Sequence, residues 1–285
     1  MNRYRFDEKN HVHLLDNKPL IGTSTIAGSV GKGSALTWWA SGKACETLGW
    51  IKKEYAPEDK YKNNCINEKE RLDAARNSLE DLRFYTPEIW LETLDKSYKA
   101  HSKELKRTAD KGVDLHAELE RYVKFQISGK LETPPLELLE NEEIKKIIQP
   151  FVQWAEKNVK KWLFSEVHVY SEELWTGGII DAGYIDNNDE FVLADFKSGG
   201  AWLSGYYQIG GYHIQLNENK KAFDENGNVA FELNDLKVKK HAIFPFKGGF
   251  TEPKIRTNII DDCEGFRCAT KLYKLNADFE KSNSL

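Results

Sequence analysis

The chain has 285 residues, of which 40% are hydrophobic and 12% aromatic, with a formal net charge of −4. It is therefore long and apolar enough to bury a core, either as one large domain or as a core with a helical elaboration. The charged start MNRYRFDEKN lacks the apolar stretch of a signal peptide, and no run reaches the length of a membrane span. These features exclude an integral membrane protein and predict a soluble, cytoplasmic one.

The first part of the chain is predicted to contain a short hairpin followed by helices. Residues 12–21 surround an Asp-Asn-Lys-Pro turn signal, and a Ser/Thr/Gly-rich turn then leads into a helix over about 35–48. The tryptophans of that helix, Trp38 and Trp39, are expected to anchor it in the core. Residues 66–127 are strongly helical in composition, with one glycine interrupting them near a histidine.

Strands and helices alternate through the rest of the chain. A Pro-Pro pair at 134–135 marks a break, and the elements predicted after it are helical material over 136–162 punctuated by Pro150, strands near 164–170, 177–185 and 191–197, a helix over 203–216, strands over 237–246 and 253–259, and a terminal helix over 261–279. An Asn-Asn-Asp turn joins the strands 177–185 and 191–197, which predicts an antiparallel hairpin.

This predicted hairpin carries two aspartates and a lysine among apolar residues. Asp181 ends the apolar run Gly-Ile-Ile-Asp, and the period of two along FVLADFK puts Asp195 and Lys197 on one face, with Phe196 pointing away. Buried charges need compensation, which a divalent cation held by carboxylates, a backbone carbonyl and water would supply. The alternative is a surface pair of Asp195 and Lys197 on an edge strand, which the apolar neighbours disfavour.

Further motifs lie on either side of the hairpin. Gln208 and Tyr212 form a Gln-x-x-x-Tyr pattern in the next predicted helix, and His116 ends a Gly-x-x-x-His pattern upstream, with Glu120 one helical turn beyond. In this order and spacing, together with the Asp and Asp-x-Lys motifs, they resemble the PD-(D/E)XK nuclease superfamily, in particular its RecB-like and phage exonuclease branch. The motifs span residues 100–217.

The resemblance implies an α/β fold. Its restriction-endonuclease-like αβββαβ core would be a mixed central sheet flanked by helices, with an N-terminal helical elaboration. We therefore predict a single nuclease domain over 1–285, in which 1–95 form the hairpin and helical elaboration and 96–285 form the core. The predicted order of helix, three strands, helix and strand agrees with such a core.

The resemblance also implies hydrolysis of DNA phosphodiester bonds. Asp181, Asp195 and the Phe196 carbonyl would hold one or two Mg²⁺ or Mn²⁺ ions, with His116 completing the site. Lys197 would activate or orient the attacking water.

Two of these motifs have structural alternatives. Gln208 and Tyr212 would position the substrate strand or the lysine, although residues four apart on one helical face could simply pack on the sheet. His116 could be a core histidine whose ring is satisfied by its neighbours, the usual fate of a lone one, although the resemblance favours a position that faces a metal or the scissile phosphate.

A row of cations precedes the histidine. The cations recur every three or four residues along one predicted helical face: Lys96, Lys99, Lys103, Lys106 and Arg107. Tyr98, Leu105 and Ala109 are expected on the inward face. Lys103, Arg107 and Glu120 are predicted to contact DNA, which would offset the unfavourable negative net charge. A solvated helix surface is an equally consistent interpretation.

Other side chains could bind a metal. Glu166 shares a predicted strand face with His168 and could lend the site another carboxylate, although solvent-facing alternation explains it as well. His11 and His13 alternate on the N-terminal hairpin without a carboxylate cluster, which favours a surface role. The four cysteines have the right number for an iron–sulfur cluster, but their spacing favours reduced structural thiols: Cys45, Cys65, Cys263 and Cys268.

The function expected from these features is that of a phage or bacterial DNA exonuclease of the recombination type. The alternatives are a CRISPR-adaptation-like or endonucleolytic nuclease and a non-cleaving DNA-binding protein that keeps the fold. DNA is the expected partner, without a membrane. A recombination or single-strand-annealing partner protein and an oligomer both remain open.

Overall fold

The computed structural model describes residues 2–31, 34–59, 62, 64–128 and 142–283. The chain divides into two compact units, the first formed by Met1–Gly31 together with Lys111–Leu285 and the second by Lys32–Asp110. The division falls inside a long helix, α4 (Pro87–Ser128). The expected single nuclease domain over 1–285, with its elaboration ending at residue 95, stays a prediction.

Helices and strands follow one another along the whole chain. In chain order they are β1 (Tyr4–Asp7), β2 (Val12–Leu15), β3 (Lys18–Pro19), β4 (Ile21–Gly22), α1 (Thr23–Ser29), α2 (Ser34–Glu46), α3 (Glu68–Asp81), a 3₁₀ turn (Leu82–Phe84), α4 (Pro87–Ser128), α5 (Glu142–Asn158), β5 (Val159–Ser171), β6 (Thr176–Asp186), β7 (Phe191–Lys197), α6 (Leu203–Asn219), β8 (Lys221–Phe223), β9 (Val229–Glu232), β10 (Val238–Pro245), β11 (Lys254–Arg256) and α7 (Ile259–Asn283). Among the described helices, none combines the length and apolar content that crossing a bilayer requires.

A mixed sheet forms the centre of the first unit. Its strand order is β11-β10-β7-β6-β5-β8-β9, with β4 also paired to β6. Strands β5, β6 and β7 form an antiparallel meander, whereas β10 lies parallel to β7. The fold is therefore mixed α/β, with helices on a mixed central sheet, and the β8–β9 hairpin is inserted between α6 and β10. The finer restriction-endonuclease-like assignment stays a prediction.

The two faces of this sheet bury separate apolar clusters. On one face, α4 and α5 pack against the sheet through Leu119 and Phe151, which are fully buried with Phe196 and Phe244. On the other face, α6 packs through Ile209 and its neighbours. Alternate residues of β7 feed the two clusters, because successive side chains of a strand point to opposite faces. Both faces of β7 are consequently covered by helices.

Several predicted boundaries are wrong. The helix that includes Pro150 ends at Asn158, and the residues up to Trp162 already belong to β5. The predicted Ser/Thr/Gly-rich turn after the hairpin is largely the short helix α1, whose Ile26 is fully buried. Gly112 does not interrupt α4, since the helical hydrogen bonds of a long helix can absorb one glycine at a cost of about 1 kcal/mol. The Pro-Pro pair at 134–135 lies outside the described residues.

Three predictions about burial are also wrong. Trp38 is 76% exposed and Tyr98 is 78% exposed, so neither points into a core. Among the described side chains of the second unit, only Ser97 is buried, which leaves these rings no interior to enter. His13, expected on the surface, is 7% exposed, because its Nδ1 lies 2.7 Å from the hydroxyl of the buried Tyr4.

The packing of α6 against α7 depends on glycine. A Cβ on Gly210 would lie 2.3 Å from the backbone oxygen of Asp262, which cannot move aside as a flexible side chain can. We expect Gly210→Ala to lower the free energy of unfolding by about 3 kcal/mol, since backbone overlap forces the helices apart. Gly199→Ala is the control, because a Cβ there meets nothing within 4 Å. Denaturant unfolding with equal losses for both variants would contradict the proposed role of the close crossing.

Candidate active site

The candidate site lies where the pairing between β6 and β7 ends. One edge of β6 pairs with β7 over residues 182–185 and with β4 at residues 176–177. Asp181 falls in the gap between these two ladders, where its Oδ2 accepts a hydrogen bond of 2.5 Å from the Phe196 backbone N–H. The carboxylate is thereby fixed at the opening. Asp181 lies inside β6 and not at its end.

Strand β5, which pairs with the other edge of β6, brings a second carboxylate to Asp181. In the antiparallel register of β5 and β6, Glu166 falls across from Asp181. The φ angle of Glu166 is 51°, a left-handed value that is uncommon outside glycine and costs about 1–3 kcal/mol. Ile180 and Ala182 pack on opposite faces of the sheet, so the alternation of β6 also breaks at this point. These two irregularities turn both carboxylates towards one space.

An aspartate and a lysine on β7 face the same space. The lysine Nζ of Lys197 donates a hydrogen bond of 3.0 Å to Oδ1 of Asp195 and lies 2.8 Å from Oδ2. Asp195 is fully buried, and Phe196 points to the opposite face, where its ring contacts Phe151. Because β7 is an interior strand between β6 and β10, the interpretation as a surface pair on an edge strand is wrong.

Helix α6 holds the lysine from the other side. Nζ of Lys197 also donates a hydrogen bond of 3.1 Å to Oε1 of Gln208, whose Nε2 donates one of 2.5 Å to the Tyr212 hydroxyl. Tyr212 is 4% exposed and packs in the core beneath α6. The ammonium group is therefore positioned by β7 and by α6 together.

A histidine reaches the carboxylates from α4. Leu115 and Leu119 bury one face of this helix, which places His116 at the edge of the packed surface. Its Nδ1 lies 3.9 Å from Oδ2 of Asp181, and its ring meets the edge of Phe196 at a centroid distance of 6.4 Å. His116 thus lies beside the carboxylates, and its ring is also within hydrogen-bonding reach of the Phe196 backbone.

The donor atoms suit a divalent cation. His116, Glu166 and Asp181 each offer one ligand atom, and these atoms lie within 4.8 Å of one another, as no other such group does among the described residues. Oδ2 of Asp195 is buried, and its one recorded partner among the described residues is the Lys197 ammonium, which forms an ion pair with it at 2.8 Å. The carboxylate oxygens match the preference of Mg²⁺ and Mn²⁺ for oxygen ligands, and the imidazole nitrogen is a ligand that a transition ion such as Mn²⁺ accepts beside them. The residues present therefore fit the ion that the sequence predicts.

The electrostatics of the site favour added positive charge. Burial raises the pKa of Asp195 to about 6, against the opposing effect of Lys197. Burial likewise raises the pKa of Glu166, and the neighbouring Asp181 and Glu120 raise it further. Burial opposes the charge of Lys197, but Asp195 and Asp181 outweigh it and raise its pKa. A cation bound among these carboxylates would relieve their repulsion.

The remaining predicted site residues lie outside this group of contacts. Glu120 faces Glu166 closely enough to raise its pKa and forms an ion pair with Lys124. Lys103 is exposed and belongs to the second unit. The side chain of Arg107 lies outside the described residues, so its predicted contact with DNA stays a prediction.

Searches against protein-family models and against curated proteins found no match to this chain. The assignment of a function therefore rests on the residues and their geometry.

Among the site residues, Glu166 has the weakest signal in the sequence. Its signal was a charged residue in the apolar strand sequence FSEVHVY, which solvent-facing alternation explains equally well. The register with Asp181 and the left-handed backbone decide between the two explanations.

We expect Glu166→Gln to weaken metal binding. The substitution keeps the size of the side chain but removes an anionic ligand, so the dissociation constant for Mn²⁺ should rise about 10- to 100-fold. The measurement is a calorimetric titration with Mn²⁺. Glu173→Gln is the matched control, because Glu173 is exposed and pairs with Arg267 on the surface. An unchanged titration for Glu166→Gln would assign this carboxylate a purely structural role.

Proposed function

We propose that this chain is a divalent-metal-dependent deoxyribonuclease, an exonuclease of the recombination type related to the PD-(D/E)XK superfamily. The observation that carries the proposal is the lysine held between Asp195 and Gln208, directly beside buried carboxylates. A structural ion pair would need no histidine and no further acidic groups around it. Buried like charges with raised pKa values are typical of a site that binds a cation or handles protons.

His116, Glu166 and Asp181 form the group that would hold an ion. Asp195 and the Phe196 carbonyl would be the further oxygens for one or two ions, as the resemblance implies. When bound, a divalent ion supplies Lewis-acid stabilisation of charge on the phosphate and lowers the pKa of water.

The protein's own groups contribute orientation and charge. Lys197 places an ammonium group where it attracts phosphate oxygens and orients water, and its two hydrogen bonds restrict it to one position. Burial and the nearby Lys197 keep the pKa of His116 low against the opposing effect of Asp195. A neutral imidazole nitrogen is the form that can bind a metal. Asp181 is held in place by the Phe196 N–H.

The test uses end-labelled linear DNA and closed circular DNA of the same sequence, with and without Mg²⁺ or Mn²⁺. Metal-dependent release of nucleotides from linear ends alone supports the exonuclease. Metal-dependent cutting of circles supports the endonuclease alternative. DNA binding without cleavage in any metal would contradict the proposed chemistry and favour the non-cleaving alternative.

A further inference from the structure

An exposed tryptophan borders the proposed nuclease site. Trp202 is the residue that precedes the first turn of α6, and 47% of its surface is exposed. Isolated exposed apolar side chains are common on protein surfaces and by themselves indicate nothing. The position of this indole relative to Lys197 is what distinguishes it.

The first turn of α6 contacts the lysine side chain. A Cβ on Gly205 would lie 3.9 Å from Cε of Lys197, so the helix backbone passes directly beside the lysine. Trp202 precedes Gly205 by one turn, and its carbonyl accepts a hydrogen bond of 2.9 Å from the Gly205 N–H. With a rise of ~1.5 Å per residue, the backbone of Trp202 lies about one helical turn from Gly205, the residue that lies beside the lysine side chain.

Two glycines in the loop between the lysine and the indole leave the exposed part of the ring without a shielding side chain. A Cβ on Gly199 would meet nothing within 4 Å, and one on Gly200 would meet only the indole itself, at 3.7 Å. A planar ligand that approaches over these glycines meets the exposed 47% of Trp202.

We propose that Trp202 stacks on an unpaired base of the DNA strand whose phosphate is bound beside Lys197, so that the substrate is single-stranded DNA or a frayed duplex end. The inference rests on the proposed nuclease function. Bases inside a duplex are paired and stacked on both faces, whereas an unpaired base has a free face for an aromatic ring. The positive lysine beside the indole suits the phosphate of the same strand.

The experiment measures binding of labelled oligothymidylate, with Ca²⁺ replacing Mg²⁺, to the wild-type protein and to Trp202→Ala. We expect the dissociation constant to rise about tenfold, as for loss of one stacked base. Trp202→Phe should restore most of the affinity. Leu203→Ala is the matched control, because Leu203 is the next residue and is 52% exposed. An abasic strand should bind the wild type and Trp202→Ala equally.

Failure of this inference differs from failure of the proposed function. Wild-type affinity of Trp202→Ala for oligothymidylate, an equal loss on the abasic strand, or equal dependence of blunt duplex binding on Trp202 would each overturn the stacking role while metal-dependent cleavage persists. Absence of cleavage in every metal would instead refute the nuclease, and base-dependent binding through Trp202 would remain measurable.

Discussion

Asp195→Asn should abolish metal-dependent cleavage and leave the protein folded. The substitution keeps the shape of the side chain but removes the buried anionic oxygens that face the site. A lost metal ligand removes several kcal/mol of transition-state stabilisation, and each ~1.4 kcal/mol is tenfold in rate, so cleavage should fall about 1,000-fold or more. The cleavage rate on linear DNA at saturating Mg²⁺ measures the effect.

The same variant should be more stable than the wild type in the absence of metal. A folded-state pKa of about 6 replaces the usual 3.8 of Asp195, so the native state holds its proton over a pH range in which the unfolded chain releases it. Wild-type stability therefore falls as pH rises from about 4 to about 6, by roughly 3 kcal/mol from this group. Asparagine cannot ionise, and thermal unfolding of the variant at neutral pH should show the difference.

A matched control tests whether the loss of cleavage is specific to Asp195 or would follow the loss of any aspartate. Asp189→Asn alters an exposed aspartate in the β6–β7 turn, where a φ of 61° suits asparagine. It should preserve cleavage and its metal dependence. Cleavage by Asp195→Asn at the rate of this control would refute the assignment of Asp195.

Lys197→Met should remove cleavage while preserving metal binding. Methionine retains an unbranched apolar stem but lacks the ammonium group that Asp195 and Gln208 hold in place. We expect a loss of about 1,000-fold in rate, because both the charge next to the phosphate and its fixed position disappear. Binding of Mn²⁺, followed by calorimetry, should be equal or tighter, since a repelling cation has been removed.

Lys240→Met is the corresponding control. Lys240 is a half-buried lysine with two carboxylate partners, Asp186 at 2.6 Å and Glu190 at 2.7 Å, in a different part of the sheet. Its loss should lower stability without changing the cleavage rate of the folded protein. A Lys197→Met protein that cleaves DNA at the wild-type rate would contradict the proposed role of the ammonium group.

Local patterns predicted the part of the site that lies on one strand. The limits of β7, Phe191–Lys197, agree with the predicted strand over 191–197, and the period of two placed Asp195 and Lys197 on one face. The antiparallel hairpin with β6 is also confirmed. Such predictions succeed because alternation and turn chemistry act between neighbours in the sequence.

Burial and helix ends were predicted less well, for physical reasons. Trp38 and Tyr98 are exposed, although aromatic residues on a helix usually mark its inward face. Whether an inward face exists depends on what packs against the helix, and a helical pattern cannot supply that information. The early start of β5 at Val159 similarly reflects pairing with β6, which overrides the helical tendency of the preceding residues.

Strand periodicity and the turn signal are enough to place two carboxylates and a lysine on one hairpin, because alternation is a property of the backbone. The further groups that join them depend on contacts between distant segments. Glu166 lies across from Asp181 because of the register of β5 and β6, and its own left-handed backbone turns it towards that residue. His116 lies on a helix that Leu119 packs against the sheet. Contacts between distant segments depend on how the whole core packs, and that packing is what assembles the candidate site.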